Sequence, residues 1–131
     1  MLRGRCHCGS ITYEMSAEVV HNALCHCSDC RRHAGAPMVG WAMVPAERVT
    51  ISGEPVVYAS SEHGRRHFCG HCGTGLFYVN EQNLPGMIDV QTATLDTPEA
   101  LPPQAHIQVA ERIGWMEEAH RLPSFARFPT G

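Results

Sequence analysis

The 131-residue sequence predicts a mainly β protein with one or two short helices, and three observations carry that expectation. Short runs with alternating or β-branched residues recur along the chain. Twelve glycines and nine prolines break those runs at short intervals. Helix start and stop signals coincide convincingly in one place only, residues 28–34. The length suits one domain, 1–131, and 44% hydrophobic residues provide for one core.

Residues 10–15 alternate and make the first expected strand. Residues 28–34 fit about two helical turns, with Ser28 as N-cap and Gly35 as the stop, which places Cys30 at the positive end of the helix, where a thiolate is favoured. Residues 48–51 form a short β-branched strand. Residues 56–60 and 65–68 flank a Glu62-His63-Gly64 turn, a hairpin whose second strand delivers Cys69 and Cys72. Gly73 directly after them suits a sharp knuckle with amides facing sulfur, and residues 76–79 leave it as another strand. A strand over 87–92 follows. Thr97 with Pro98 opens a single helical turn that Pro102 and Pro103 end. Residues 106–109 read as a last strand, Trp115-Met116 as an apolar anchor, and residues 122–125 as a tail packing on the body.

All seven cysteines lie in three clusters: Cys6 and Cys8; Cys25, Cys27 and Cys30; Cys69 and Cys72. Thiolates one or two residues apart let a chain grip one soft cation with little loop strain, and tetrahedral zinc takes four such ligands. Two dithiol pairs, Cys6 with Cys8 and Cys69 with Cys72, complete one closed structural site. The remaining Cys25, Cys27 and Cys30 make a site one ligand short, where water or substrate could complete the shell. Zinc joining Cys6 and Cys8 to cysteines some sixty positions later would restrict the unfolded chain, so its loss should be a folding defect. An odd cysteine count and an N-terminus without an apolar signal segment argue against a disulfide framework. A thioredoxin-like pair lacks a βαβ context, and iron–sulfur ligation of the central cluster lacks a fourth cysteine.

A net charge of −3, with basic residues clustered only as Arg31-Arg32 and Arg65-Arg66, argues against nucleic-acid binding. No apolar stretch approaches the roughly 20 residues of a membrane span. The chain reads as soluble and cytoplasmic. A three-thiolate zinc is a poor generator of hydroxide but suits an incoming thiol sulfur, so chemistry on a thiol fits better than hydrolysis. His26, His33, His67 and His71 are candidates for moving the proton, each balanced by an ordinary role as an exposed residue or a donor to a ligand sulfur. Asp29 could be a fourth ligand or an exposed first-turn carboxylate. Arg31 and Arg32 could receive a substrate carboxylate or offset thiolate charge. Trp41 reads as core rather than binding wall.

Residues 4–9 (GRCHCG), 25–32 (CHCSDCRR) and 68–74 (FCGHCGT), with His106-Ile107, Trp115 and Leu122-Pro123 downstream, resemble the glutathione-dependent formaldehyde-activating enzyme family, which includes the vertebrate centromere protein V. The resemblance covers nearly the whole chain. It implies a β-tent of short antiparallel sheets around a structural zinc held by Cys6, Cys8, Cys69 and Cys72, with a second zinc at Cys25, Cys27 and Cys30. It also implies carbon–sulfur lyase chemistry joining glutathione and formaldehyde, with a small thiol and a small aldehyde as partners. The alternatives are a non-catalytic zinc-binding protein-interaction module and a zinc buffer.

Overall fold

The structure, a computed structural model, describes residues 1–129. In chain order its regular elements are β1 (Leu2–Arg5), β2 (Thr12–Met15), β3 (His21–Cys25), α1 (Ser28–Ala34), β4 (Val39–Pro45), β5 (Val49–Ser52), β6 (Val56–Ala59), β7 (Arg65–Phe68), β8 (Gly75–Val79), β9 (Met87–Gln91) and β10 (His106–Ile107). The fold is mainly β, as expected, with one α-helix among the described residues and several 3-10 turns, the longest over Gly114–Arg121.

The strands make two sheets. β1, β2 and β5 pair antiparallel in a three-stranded sheet. The other seven run in the order β10-β3-β4-β9-β8-β7-β6, antiparallel except for the two-residue parallel pair of β10 and β3. Strand pleating gives this larger sheet two different faces. On one, Ala42, Val90 and Phe77 lie in register across β4, β9 and β8 and join Tyr13 and Met15 of the smaller sheet in the main core. The Tyr13 ring meets Phe77 edge-on with centroids 5.3 Å apart. Phe77, Leu76, Met15 and Val44 are almost wholly buried, and each such side chain contributes roughly 1.5–3 kcal/mol. The opposite face carries a second cluster of Cys25, Cys30, Val39 and Trp41, packed against Tyr78 and Ile107.

Some sequence expectations require correction. The helix spans 28–34, but its N-cap is Cys27, whose sulfur accepts from the Cys30 amide, and Ser28 is the first helical residue. Gly35 ends it in the left-handed conformation at φ 65°. The last strand stops at Ile107 because Gln108 turns to φ 57° and a 3-10 turn begins at Val109. Trp115 is no anchor, being 62% exposed, and Leu122 and Phe125 in the expected packed tail are 65% and 59% exposed.

Candidate metal centres

The cysteines meet in two groups. Sγ atoms of Cys6, Cys8, Cys69 and Cys72 all lie within 4.8 Å of one another, and so do those of Cys25, Cys27 and Cys30. All seven are free of disulfides. A tetrahedral zinc with sulfur at about 2.3 Å requires sulfurs roughly 3.8 Å apart. The Cys6–Cys8 and Cys8–Cys69 separations are 3.6 and 3.8 Å, close to that spacing.

Two matching turns build the four-sulfur group. The first follows β1 and the second follows β7, each ending in a glycine at positive φ, Gly9 at 83° and Gly73 at 84°. That conformation aims backbone amides at sulfur, as expected from Gly73. The amides of His71 and Cys72 each lie 3.4 Å from Cys69 Sγ, and the Ile11 amide 3.3 Å from Cys6 Sγ. The Ser10 hydroxyl stands 3.1 Å from Cys8 Sγ and 3.2 Å from Cys69 Sγ, and the Thr74 hydroxyl 3.2 Å from Cys72 Sγ. So many donors suit thiolates, which accept and do not donate. The Thr74 hydroxyl and amide hold the Cys72 thiol down to about 5. Burial acts most strongly on Cys6 and pushes it up, but the Ile11 amide and Ser10 hydroxyl outweigh it and leave it lowered.

The three-sulfur group is assembled at the joint between β3 and α1. Cys25 ends β3, Cys27 caps α1 and Cys30 lies in its first turn. Arg66, which sequence reasoning passed over, reaches it from β7. Its side chain is 5% exposed, its two terminal nitrogens lie 3.6 and 3.7 Å from Cys30 Sγ, and its guanidinium stacks 4.8 Å over the Tyr78 ring. The charge that offsets thiolate therefore comes from Arg66. Arg31 instead donates to the His26 carbonyl at 3.3 Å, and Arg32 lies with Arg31 in a separate depression beside Trp115. Cys30 is held down to about 5 by its contact with Cys25 first and by Arg66 after it, while the same sharing pushes Cys25 up.

All three sulfurs of this group line a cavity of about 560 Å³. Its floor is a single row of side chains in register across five strands: His21 of β3, Met43 of β4, Asp89 of β9, Tyr78 of β8 and Arg66 of β7. Trp41, 6% exposed, is both core and wall, and Ile107 adds further apolar surface. Asp29 is exposed at the rim and outside the sulfur group, as a first-turn carboxylate. At the same rim Glu111 accepts from the Ser28 amide at 3.0 Å and its hydroxyl at 2.8 Å.

None of the four histidines singled out from the sequence lines this cavity. His26 is buried, with Nε2 2.8 Å from Nδ1 of His106, and burial lowers its pKa. His33 stacks on Tyr58, His67 meets Phe77 edge-on, and His71 is exposed in its turn. The histidine present is His21, which lies on an unforeseen strand. The cross-strand register that brings it there joins residues 21, 43, 66, 78 and 89, and no local pattern in the sequence could have grouped them.

A mainly β frame carrying one four-cysteine group and one three-cysteine group beside a cavity defines a protein with two cysteine groups that could each hold a metal ion. The profile of the glutathione-dependent formaldehyde-activating enzymes matches residues 1–111. A Halomonas elongata protein, named by inference as such an enzyme, is 27% identical over 98% of this chain and 89% of its own length. A Phaeosphaeria nodorum protein named in the same way is 33% identical over 94% of this chain, which spans 58% of that relative. An uncharacterized lyase of Schizosaccharomyces pombe is 32% identical over 61% of this chain and 60% of its own. A crystal structure of a Rhodobacter sphaeroides protein shares the fold at a TM-score of 0.61 and 21% identity, covering 80% of this chain and 99% of the other. The chain belongs to the glutathione-dependent formaldehyde-activating enzyme family.

Proposed function

We propose that the chain is a zinc-dependent carbon–sulfur lyase of one domain, 1–131, that joins a thiol such as glutathione to a small aldehyde such as formaldehyde, or runs the reverse reaction. The observation that carries this reading is the three-cysteine group opening into the cavity of about 560 Å³, room for a tripeptide-sized thiol. Cys6, Cys8, Cys69 and Cys72 would hold a structural zinc, and Cys25, Cys27 and Cys30 a second one. At three thiolates, a bound zinc supplies a soft position for a thiol sulfur and lowers its pKa.

The chain's own residues do the rest. Arg66 offsets the negative charge of the sulfurs at Cys30, and Tyr78 holds Arg66 in place by covering its planar face. Trp41 and Ile107 give the cavity apolar wall beside the sulfurs, which would favour addition of a thiol over hydration of the aldehyde. Seven free cysteines suit a reducing compartment, so the cytoplasm is the proposed location. No helix among the described residues is long and apolar enough to cross a membrane, and the proposed partners are small molecules rather than nucleic acid or lipid.

The test is metal analysis joined to zinc-edge X-ray absorption with and without glutathione, followed by an assay of adduct formation from glutathione and formaldehyde. Two zincs, one gaining a sulfur neighbour, and a rate that C27S abolishes without unfolding the protein are expected. One tightly held zinc with no spectral change and no rate would overturn the reading in favour of a binding module.

A further inference from the structure

Three carboxylates line the cavity, and one of them differs from the others. Asp29 is exposed and Glu111 is already engaged by Ser28. Asp89 lies at the centre of the floor, half-buried between Met43 and Tyr78, and has no hydrogen-bond donor or ion-pair partner among the described residues. A half-buried carboxylate that faces a cavity with no protein donor carries a desolvation cost, and such a group is retained where a ligand supplies what the protein does not. Across the same cavity stand Cys25, Cys27 and Cys30, so a thiol seated at the sulfurs presents its adduct to Asp89. Among the described histidines only His21 lines this space, at the end of the floor row with Met43 between it and Asp89, and Arg66 is occupied by Cys30.

We infer that Asp89 is the proton carrier of the thiol–aldehyde reaction, an inference that rests on the function proposed above. In the forward direction the carboxylate takes the proton of the incoming S–H group. The sulfur electron pair then forms the bond to the carbonyl carbon, the π pair of the C=O bond moves to oxygen, and Asp89 returns the same proton to that oxygen. The product is an S-hydroxymethyl adduct, Asp89 ends as it began, and no other reactant is consumed. In the lyase direction the carboxylate removes the hydroxyl proton, the C–S bond breaks, and the proton passes to the departing sulfur. Burial, and after it the charge at Cys30, pushes the Asp89 carboxyl up to about 6, close to the pH at which a carrier both accepts and releases a proton readily.

The experiment compares the wild-type protein with D89N and D89E, checking zinc content and melting temperature on each preparation. Glutathione–formaldehyde exchange is followed by magnetisation transfer, and proton release on glutathione binding by calorimetry in two buffers of different ionisation enthalpy. For D89N we expect a fall in kcat of about 100-fold or more with KM for glutathione nearly unchanged. We also expect it to release to buffer a proton that the wild-type protein retains, and D89E to recover part of the rate. Unchanged kcat, or equal proton release from wild type and D89N, overturns the inference while leaving the proposed function standing. No acceleration by the wild-type protein overturns the proposed function instead, and the proton count then decides the role of Asp89 by itself. Failure to bind glutathione overturns both.

Discussion

Arg66 links β7 to the three-sulfur group, since its stem is buried, its head touches Cys30 and its face covers Tyr78. Replacing it with methionine keeps the stem and removes the charge. R66M should weaken the second zinc by roughly 10–100-fold and leave the first untouched, as chelator competition would show. Asp89 makes the opposite kind of prediction. Its folded pKa of about 6 stands above the ordinary 3.8, so the native state binds the proton more tightly than the unfolded state. The penalty for burying the carboxylate is absent below about 3.8, grows as the pH rises to about 6, and is full above that. D89N should therefore be more stable than wild type near neutral pH, by on the order of 1–2 kcal/mol, with the gap closing toward pH 4 in denaturant titrations. A residue that costs stability where it sits is poorly explained by folding alone. Asp89 was not legible in the sequence, because an isolated carboxylate in a strand has no signature until its register neighbours are known.

Helix α1 shows how much a local pattern can reveal. The Ser28–Ala34 helix and its Gly35 stop were readable because caps are chemistry between neighbours in sequence. The identity of the cap was not readable, since cysteine is rarely considered an acceptor at that position, yet Cys27 serves both the Cys30 amide and the sulfur group. A second clamp on the same turn comes from far away, through Glu111. The Ser28 backbone amide, first, and its hydroxyl hold the Glu111 carboxyl below its ordinary 4.5. Its contribution is thus present above that value and lost as the pH falls through the lowered one. E111Q should loosen α1 near neutral pH, seen as faster amide exchange at residues 28–31, with the difference fading in acid. Strands β3 and β4 escaped notice for a physical reason as well. The burial of β4 follows no simple alternation, because its two faces meet the core and the cavity wall, and Gly40 and Pro45 interrupt it. A side chain at Gly40 would strike Thr92 Oγ1, only 2.3 Å from where its Cβ would lie, so the glycine there marks close packing and not a turn.

The four-cysteine group ties together the two sheets, taking Cys6 and Cys8 from the turn after β1 and Cys69 and Cys72 from the turn after β7. The smaller sheet otherwise holds on through the shared core and through contacts such as the His7 amide to Thr74 at 3.0 Å. C69S should therefore reduce soluble yield sharply and halve the zinc content. Metal binding of on the order of 10 kcal/mol is coupled to folding in such sites, and thermal melting with and without a chelator measures it. The grouping of the cysteines was legible from spacing and number alone, since ligand pairs are local features. The exposed C-terminal aromatics were not, because Trp115, Phe125 and Phe128 look like core residues in any sequence and only the finished packing shows them outside. The cavity floor takes one side chain from each of five strands, and the next residue along each strand turns to the other face. On the proposed function, selectivity for one thiol or aldehyde over another would thus be written across the sheet and not along the chain. Randomising any contiguous stretch would reach one floor position and damage the core behind it, so a useful library would vary His21, Met43, Arg66, Tyr78 and Asp89 together.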